Sequence, residues 1–187
     1  MLALGIDPGT LKLGWGLVRR SGNRLTHVDH GVIRLDGKRP LSERLPVIER
    51  ELDRIIAEHS PEIGSVESLF FHKDAQAAAK LGHARGVVLL ILARAGLRIA
   101  EYAPAKVKRT VAGGGQADKR QVALMIRALL ALPETPPSDA ADALALAVTH
   151  LRLGPLEERL AEQGVSPRLL ASLGRRRRSR VPRPSWS

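Results

Sequence analysis

The segment from Ser138 to Val148 constrains the fold more than any other part of the chain. Besides Ser138 and two aspartates, it contains only alanine, leucine and valine. A helix that is apolar on every side must be buried on every side, so this one needs a layer of structure above it and another below. Pro136 and Pro137 precede Ser138, a favoured N-cap residue. We therefore predict a buried helix that begins at this serine.

The two aspartates of this segment, Asp139 and Asp142, lie three positions apart in its predicted first turn. Residues at this spacing share one face of a helix, so both carboxylates can point at a common spot. The alternative is that they only complement the helix dipole. We favour a functional role, because the acidic end of a buried helix lies against the core and not in bulk water.

The rest of the chain predicts an α/β domain with a mixed sheet. Short apolar runs bounded by turn residues predict strands at residues 2–7, 11–19, 25–35, 63–70 and 99–103. Apolar spacings of three and four predict a long helix at 75–95, two or three helices within 105–153, and an earlier helix with one face formed by Leu45, Ile48, Leu52 and Ile55. The start of the earlier helix stays open, because Pro46 fits a first turn and not a helix interior.

The charge of the chain indicates a polyanionic partner. The formal net charge is +11, and DNA or RNA is the first expectation for such a protein, although composition leaves a ribosome-associated or merely basic protein open. Six arginines carry +6 of this charge and stand among serines and prolines near the C-terminus: Arg175, Arg176, Arg177, Arg178, Arg180 and Arg183. A like-charge block of this kind predicts disorder. We expect a domain at residues 1–153 and a basic extension at 154–187.

The chain has no cysteine, so disulfides and thiolate metal sites are excluded. A metal would be held by aspartate, glutamate or histidine, and oxygen ligands suit Mg²⁺ or Mn²⁺. The N-terminus lacks the basic flank and cleavage site of a signal peptide. The longest apolar run, residues 87–93, is too short to span a membrane. We expect a cytoplasmic protein.

Two further carboxylates lie in or at the end of apolar strands. Asp7 closes the first predicted strand and precedes Pro8-Gly9, which is also an ordinary turn. Glu67 lies inside the fourth predicted strand, where acids are disfavoured, so a partner or a metal is a better explanation than an edge strand facing water. Together with the aspartates of the buried helix, these residues predict an all-oxygen site for a pair of divalent cations. Such a pair stabilises both the attacking and the leaving oxygen when a phosphoryl group is displaced.

These segments, taken in order, resemble the RuvC family of Holliday-junction resolvases. The resemblance covers residues 1 to about 153 and rests on Gly5-Ile6-Asp7-Pro8-Gly9-Thr10, on Val66-Glu67-Ser68-Leu69-Phe70-Phe71, on Ala78-Ala79-Lys80-Leu81-Gly82-His83-Ala84-Arg85-Gly86, on Glu101-Tyr102-Ala103-Pro104, on Val107-Lys108, on Ala117-Asp118-Lys119 and on Asp139-Ala140-Ala141-Asp142-Ala143-Leu144-Ala145.

The resemblance implies a ribonuclease-H-like fold with a five-stranded mixed sheet and helices on both faces. It implies a homodimeric, metal-dependent endonuclease that nicks four-way junctions symmetrically in recombination and repair, with a branch-migration motor (RuvA and RuvB) as partner. The family's four acidic positions match Asp7, Glu67, Asp139 and Asp142, which would bind two Mg²⁺ per subunit, with Mn²⁺ as an alternative. It implies nothing about the arginine-rich tail.

Basic and glycine residues suggest where DNA binds. The resemblance places Lys108 and Lys119 near the scissile phosphate, and it favours Phe70 over its neighbour as a ring that stacks on a base. A glycine loop at 113–115 has five cations around it, which favours phosphate contact over a merely flexible loop. These cations are Lys106, Lys108, Arg109, Lys119 and Arg120. Gly9 and Thr10 are further candidates for phosphate contact, with plain turn chemistry equally open.

The long helix at 75–95 has two apolar faces. One face covers the home sheet, and the second needs a cover of its own, for which we expect the same helix of a second subunit, with burial under the same chain as the alternative. The residues predicted for this dimer interface are Gly82, Gly86, Leu89 and Leu92.

The sequence is to be weighed against three other functions. Gly-Ile-Asp-x-Gly-Thr also resembles the first phosphate loop of actin-like ATPases, which need two such domains for which 187 residues leave no room. A non-catalytic junction-binding protein would lack metal-dependent nicking. A nuclease of the same fold acting on RNA would differ only in substrate.

Overall fold

One five-stranded mixed sheet organises the structure, in the strand order β3-β2-β1-β4-β5. The strands are β1 (Leu2–Asp7), β2 (Lys12–Ser21), β3 (Arg24–Arg34), β4 (Ile63–Glu67) and β5 (Arg98–Tyr102). The first three form an antiparallel meander, while β4 runs parallel to both β1 and β5. The carboxyl ends of β1, β4 and β5 therefore meet at one edge of the sheet.

The helices are α1 (Leu41–His59), α2 (Ala75–Arg94), α3 (Pro104–Ala112), α4 (Lys119–Leu129) and α5 (Ser138–Glu162). This computed structural model describes residues 1–68 and 75–163. The chain divides into two units, Met1–Arg152 and the residues from Leu153 onward, so the second unit begins inside α5. None of the helices within the described ranges combines the length and apolar character of a membrane span.

Two apolar clusters lie on opposite faces of the sheet within the first unit. On one face, Leu4 and Ile6 of β1 belong to a cluster with residues of α1 and α2. On the other face, Ala3 of β1 belongs to a cluster with residues of α3, α4 and α5. The alternation of side chains along β1 produces this division, because successive residues point to opposite faces. The predicted mixed sheet with helices on both faces is confirmed.

The helix α5 lies directly on the sheet, as the Ser138–Val148 pattern predicted. Every residue from Ala143 to His150 is buried. Glycines make this close approach possible: a Cβ on Gly5 of β1 would overlap the main-chain carbonyl oxygen of Ala143, and one on Gly14 of β2 would overlap that of Asp139. The main chain of α5 therefore contacts the main chain of two strands.

A hydrogen bond fixes α5 along a third strand. Ser65, a fully buried residue of β4, donates its hydroxyl to the carbonyl oxygen of Leu146 at 2.9 Å. Because Leu146 lies within α5, this bond ties β4 to one particular turn of that helix. The glycine contacts and this bond together set which residues of α5 lie over the carboxyl ends of the strands.

The structure differs from the sequence predictions in several places. The strand β4 ends at Glu67 and not at residue 70, and residues 69–74 lie outside the described part of the chain. Pro46 lies inside α1, five residues after Leu41, and there it forgoes the one hydrogen bond that its nitrogen would have donated. The predicted domain boundary after residue 153 stays a prediction; it lies within α5, one residue after the division between the two units.

Replacing Gly5 by alanine should destabilise the fold, because the new methyl group would overlap the main chain of α5 and not a movable side chain. Overpacking of this kind lowers the free energy of unfolding by about 1–3 kcal/mol, and we expect the upper end. Urea denaturation of Gly5→Ala measures the loss. Gly114→Ala is the control, since no other part of residues 1–68 and 75–163 lies within 4 Å of a Cβ at that position. Equal stability of the two variants would show that α5 does not depend on this contact.

Candidate active site

Asp7 and Glu67 occupy the ends of two adjacent parallel strands. The register pairs Gly5 with Ser65 and Ile6 with Val66, so Asp7 and Glu67 are the next residues along each strand. Gly5 and Ser65 face α5, and alternation turns the residues two positions further on to the same side. Both carboxylates are therefore placed beneath the N-terminal end of α5.

The first turn of α5 brings the other two predicted carboxylates to this edge. Asp139 and Asp142 are both partly buried. The side chain of Asp142 accepts a hydrogen bond from the ammonium group of Lys119 at 3.1 Å. Lys119 is the first residue of α4, whose N-terminus is held by a capping box between Asp118 and Gln121. This cap fixes where the helix that carries the lysine begins.

A cleft of about 250 Å³ opens between these elements. Its polar lining consists of three of the predicted carboxylates and two of the predicted lysines, namely Asp7, Glu67, Asp142, Lys108 and Lys119. Its apolar wall, which the sequence analysis did not assign, comes from Pro104, Val107, Val122 and Leu146. Three of the four predicted carboxylates and two of the predicted cations thus share one concave site.

The carboxyl group of Asp7 lies in an environment that disfavours its charge. Burial is the largest effect, and the nearby charges of Asp142, Glu67 and Asp139 add to it, while Lys119 opposes it. Together these effects raise the pKa of Asp7 from 3.8 to about 7. The pKa of Lys119 is itself raised, chiefly by the charge of Asp142. All four predicted carboxylates therefore belong to one electrostatic cluster, although Asp139 does not line the cleft.

The donor chemistry of this cluster fits a divalent cation. It offers only oxygen donors and carries more carboxylates than cationic partners, and hard cations such as Mg²⁺ prefer these ligands. Among residues 1–68 and 75–163, no three acidic or histidine side chains already converge in the geometry of a metal site.

Of the other predicted DNA-contacting residues, the described ones, Gly9, Thr10 and Arg120, do not line the cleft. Gly9 forms the tight turn after β1, where a Cβ would overlap the carbonyl of Lys12. The carbonyl oxygen of the following Thr10 accepts a hydrogen bond from Arg44 of α1. Arg120 is exposed on α4 and is absent from the lining of the cleft. Phe70 lies outside the described residues.

The residues predicted for the second face of α2 do not all lie on one side of the helix. Among the described residues, none lies within 4 Å of a Cβ added at Gly82 or Gly86, apart from the helix itself. Leu90, with 56% of its surface exposed, lies one turn after Gly86. Leu92 was assigned to this face wrongly: it is fully buried in the subunit's own core, against Gly64 of β4. Leu89 is half-buried and packs on the same core. Both faces were apolar in sequence, so periodicity alone could not separate the core side from the outer side.

Comparison with known proteins gives a consistent result. The family profile described as crossover junction endodeoxyribonuclease RuvC matches residues 3–150. A RuvC of this description from Sorangium cellulosum is 57% identical over 164 residues, which is 88% of this chain and 92% of the relative. Another, from Desulfitobacterium hafniense, is 49% identical over 80% of this chain and 92% of its own.

Solved structures show the same similarity in three dimensions. RuvC from Thermus thermophilus in complex with a Holliday junction substrate superposes with a TM-score of 0.79 at 37% identity, over 84% of this chain and 96% of that one. The yeast mitochondrial Holliday junction resolvase Ydc2 superposes with a TM-score of 0.60 at 11% identity, over 86% and 83% of the two chains, and supports the fold alone. The predicted ribonuclease-H-like fold is confirmed.

The raised pKa of Asp7 predicts a measurable effect on stability. A carboxyl group whose pKa rises on folding holds its proton more tightly in the native state, so ionisation destabilises the fold as the pH rises from about 4 through 7. In metal-free buffer at pH 8, Asp7→Asn should therefore melt above the wild type, by about 2–4 °C for each kcal/mol of unfavourable interaction relieved. At pH 4 the difference should nearly vanish.

Thermal melts at the two pH values check this expectation. Mg²⁺ should raise the melting temperature of the wild type more than that of Asp7→Asn, because the neutral side chain is a poorer ligand. Asp53→Asn, on the exposed surface of α1, is the matched control and should melt like the wild type throughout. A variant Asp7→Asn that melts below the wild type at pH 8 would contradict the assigned electrostatics.

Proposed function

This chain belongs to the RuvC family of crossover junction endodeoxyribonucleases, and we propose that it resolves four-way DNA junctions by hydrolysing phosphodiester bonds during recombination and repair. The observation that carries the proposal is the convergence of the Asp7 carboxylate cluster with Lys108 and Lys119 in one cleft at the carboxyl edge of the sheet. The Thermus relative at 37% identity was solved with a Holliday junction substrate, which supports the same substrate here.

We propose that the carboxylates of Asp7, Glu67, Asp139 and Asp142 hold the divalent cations, with two Mg²⁺ per subunit and Mn²⁺ able to replace them. When bound, a pair of such cations polarises the phosphate and stabilises the attacking and leaving oxygens. Lys108 and Lys119 supply positive charge to the phosphate that enters the cleft. The ion pair between Lys119 and Asp142 orients this lysine before DNA arrives.

The DNA contacts extend beyond the cleft in this proposal. Gly9 and Thr10 lie in the turn directly after Asp7, where main-chain and hydroxyl groups can donate to a phosphate. Arg120 follows Lys119 and adds charge on the exposed side of α4. Phe70 completes the proposed set as a stacking ring three residues after Glu67.

We propose that the active unit is a homodimer that places two clefts on the two halves of one junction. A four-way junction has two strands to cut, and a two-fold dimer presents two identical sites to them. The exposed stripe of α2 that includes Gly82, Gly86 and Leu90 supports this contact, because a large apolar side chain stands beside glycines that allow close approach. A branch-migration motor is the further partner that family membership suggests.

Amide substitutions at the carboxylates should separate cutting from binding. Asp7→Asn, Glu67→Gln, Asp139→Asn and Asp142→Asn each remove a proposed metal ligand and leave the basic surface intact. Each should reduce junction cleavage in Mg²⁺ by at least about 100-fold, the size of effect that loss of strong charge stabilisation at a reacting centre produces. Cleavage of a synthetic four-way junction measures the effect, and gel mobility shift in the absence of Mg²⁺ measures binding.

Two controls make this experiment decisive. Asp53→Asn, the exposed aspartate of α1, should cut like the wild type. Linear duplex, single strand and an RNA–DNA hybrid test whether the junction is the preferred substrate. Near-normal cleavage by two or more of the four variants would refute the shared site, and equal cleavage of the hybrid would refute the junction as the specific substrate.

A single substitution on the exposed stripe of α2 should test the dimer. Leu90→Glu introduces a charge at a position that is 56% exposed in one subunit, so the subunit should stay folded while the dimer dissociates. On a cruciform plasmid, the variant should give nicked circles where the wild type gives linear product. Sedimentation measures the association state. Leu124→Glu, at an exposed leucine of α4, is the control. A Leu90→Glu variant that stays dimeric would place the interface elsewhere.

A further inference from the structure

Arg85 of α2 reaches the carboxyl edge of the sheet from the face opposite α5. Its Nε donates a hydrogen bond to the main-chain carbonyl oxygen of Glu67 at 3.2 Å. The same guanidinium forms an ion pair with Glu101 of β5. Only 12% of the arginine side chain is exposed. One planar group therefore joins the last residue of β4 to the neighbouring strand.

Two hydrogen bonds hold the main chain around Glu67, where β4 ends. The amide of Ser68 donates to the carbonyl oxygen of Tyr102 at 3.0 Å, which is a bond from β4 to the end of β5 just beyond Glu67. The carbonyl oxygen of Glu67 accepts the hydrogen bond from Arg85 of α2. The carboxylate of Glu67 leaves from this same residue toward the cleft. Its direction therefore depends on how firmly the main chain is held at this point.

We infer that Arg85, held in place by Glu101, is a positioning residue for the catalytic site that fixes the main chain of Glu67 and thereby aims its carboxylate at the metal cluster. The inference rests on the proposed function, in which Glu67 is a metal ligand. Arg85 acts through Glu67 and lies outside the lining of the cleft. Groups that orient metal ligands typically contribute about 10–100-fold to metal affinity or activity.

Arginine is suited to this role and lysine is not. A guanidinium presents several donors in one rigid plane, so it can serve a carbonyl and a carboxylate simultaneously. A lysine at the same position keeps the charge and can pair with Glu101, but its single ammonium cannot reproduce the two-sided geometry. Arg85→Lys therefore separates the positioning of Glu67 from the mere presence of a buried positive charge.

The same helix offers a matched control. Arg94 of α2 forms an ion pair with Glu49 of α1 at 2.7 Å. This pair also joins α2 to a neighbouring element, but it lies at the far end of the helix from the carboxyl edge. Arg94→Ala should remove an arginine ion pair of α2 without affecting Glu67.

The test measures Mn²⁺ binding to the full-length protein without DNA, by electron paramagnetic resonance. Arg85→Ala and Arg85→Lys should both bind Mn²⁺ about 10–100-fold more weakly than the wild type. Arg85→Lys should melt close to the wild-type temperature. If Arg85 had a purely structural role, metal affinity would fall only together with the melting temperature. Glu101→Gln should show a smaller loss, because its amide oxygen still accepts from Arg85. Junction binding without divalent ions should be unchanged in all variants.

Each outcome decides the inference. Wild-type Mn²⁺ affinity in Arg85→Lys and Glu101→Gln would overturn it, whether or not Arg85→Ala folds. An equal loss in Arg94→Ala would overturn it as well, because the effect would then belong to α2 in general. If the wild type bound Mn²⁺ but cut no junction, the proposed substrate would fail while the role of Arg85 toward Glu67 would still be measured.

Discussion

The contact between the main chain of α5 and the glycines of the sheet is the interaction on which the rest of the structure depends. Side chains ordinarily separate a helix from a sheet, but Gly5 and Gly14 let the carbonyls of Ala143 and Asp139 approach the strands directly. This proximity explains why the stretch of α5 from Ala143 to Val148 contains only alanine, leucine and valine, because the layers around it leave no space for larger side chains. It also fixes the first turn of α5 over the ends of β1 and β4, where the four carboxylates belong to one electrostatic cluster.

The arrangement that results disfavours the ionised form of Asp7 in the folded protein. The pKa of Asp7 is raised to about 7, first by burial and then by the other carboxylates. Lys119 offsets part of this repulsion through its ion pair with Asp142. Strongly perturbed pKa values of this kind cluster at functional sites. The packing of α5 on the glycines must therefore outweigh the repulsion that the same packing creates.

Much of this arrangement could be predicted from the sequence, because it depends on local patterns. The apolar run after Ser138 predicted a buried helix, and the acids at Asp7 and Glu67 predicted a site at the sheet edge. The assignment of Leu92 was wrong because periodicity identifies apolar faces but not the layer that covers each one. The role of Arg85 could not be predicted. Its acceptor is a main-chain carbonyl, and the sequence pattern does not show which main-chain groups a side chain contacts. Ser65, a polar residue within a mostly apolar strand, is the feature of the sequence that could have indicated the bond between β4 and α5.

The central claim is that the register between α5 and the sheet brings carboxylates from three elements to a common divalent-metal site. Anomalous diffraction at the manganese edge, from crystals of the protein grown with Mn²⁺, tests it most directly. The account predicts anomalous density for manganese in the cleft. The ion should be coordinated by oxygens of Asp7 and Glu67 from the strands and by at least one aspartate of α5. The claim that the helix-to-sheet register builds the site would be contradicted if manganese were coordinated by α5 alone. It would also be contradicted if manganese bound only outside this cleft.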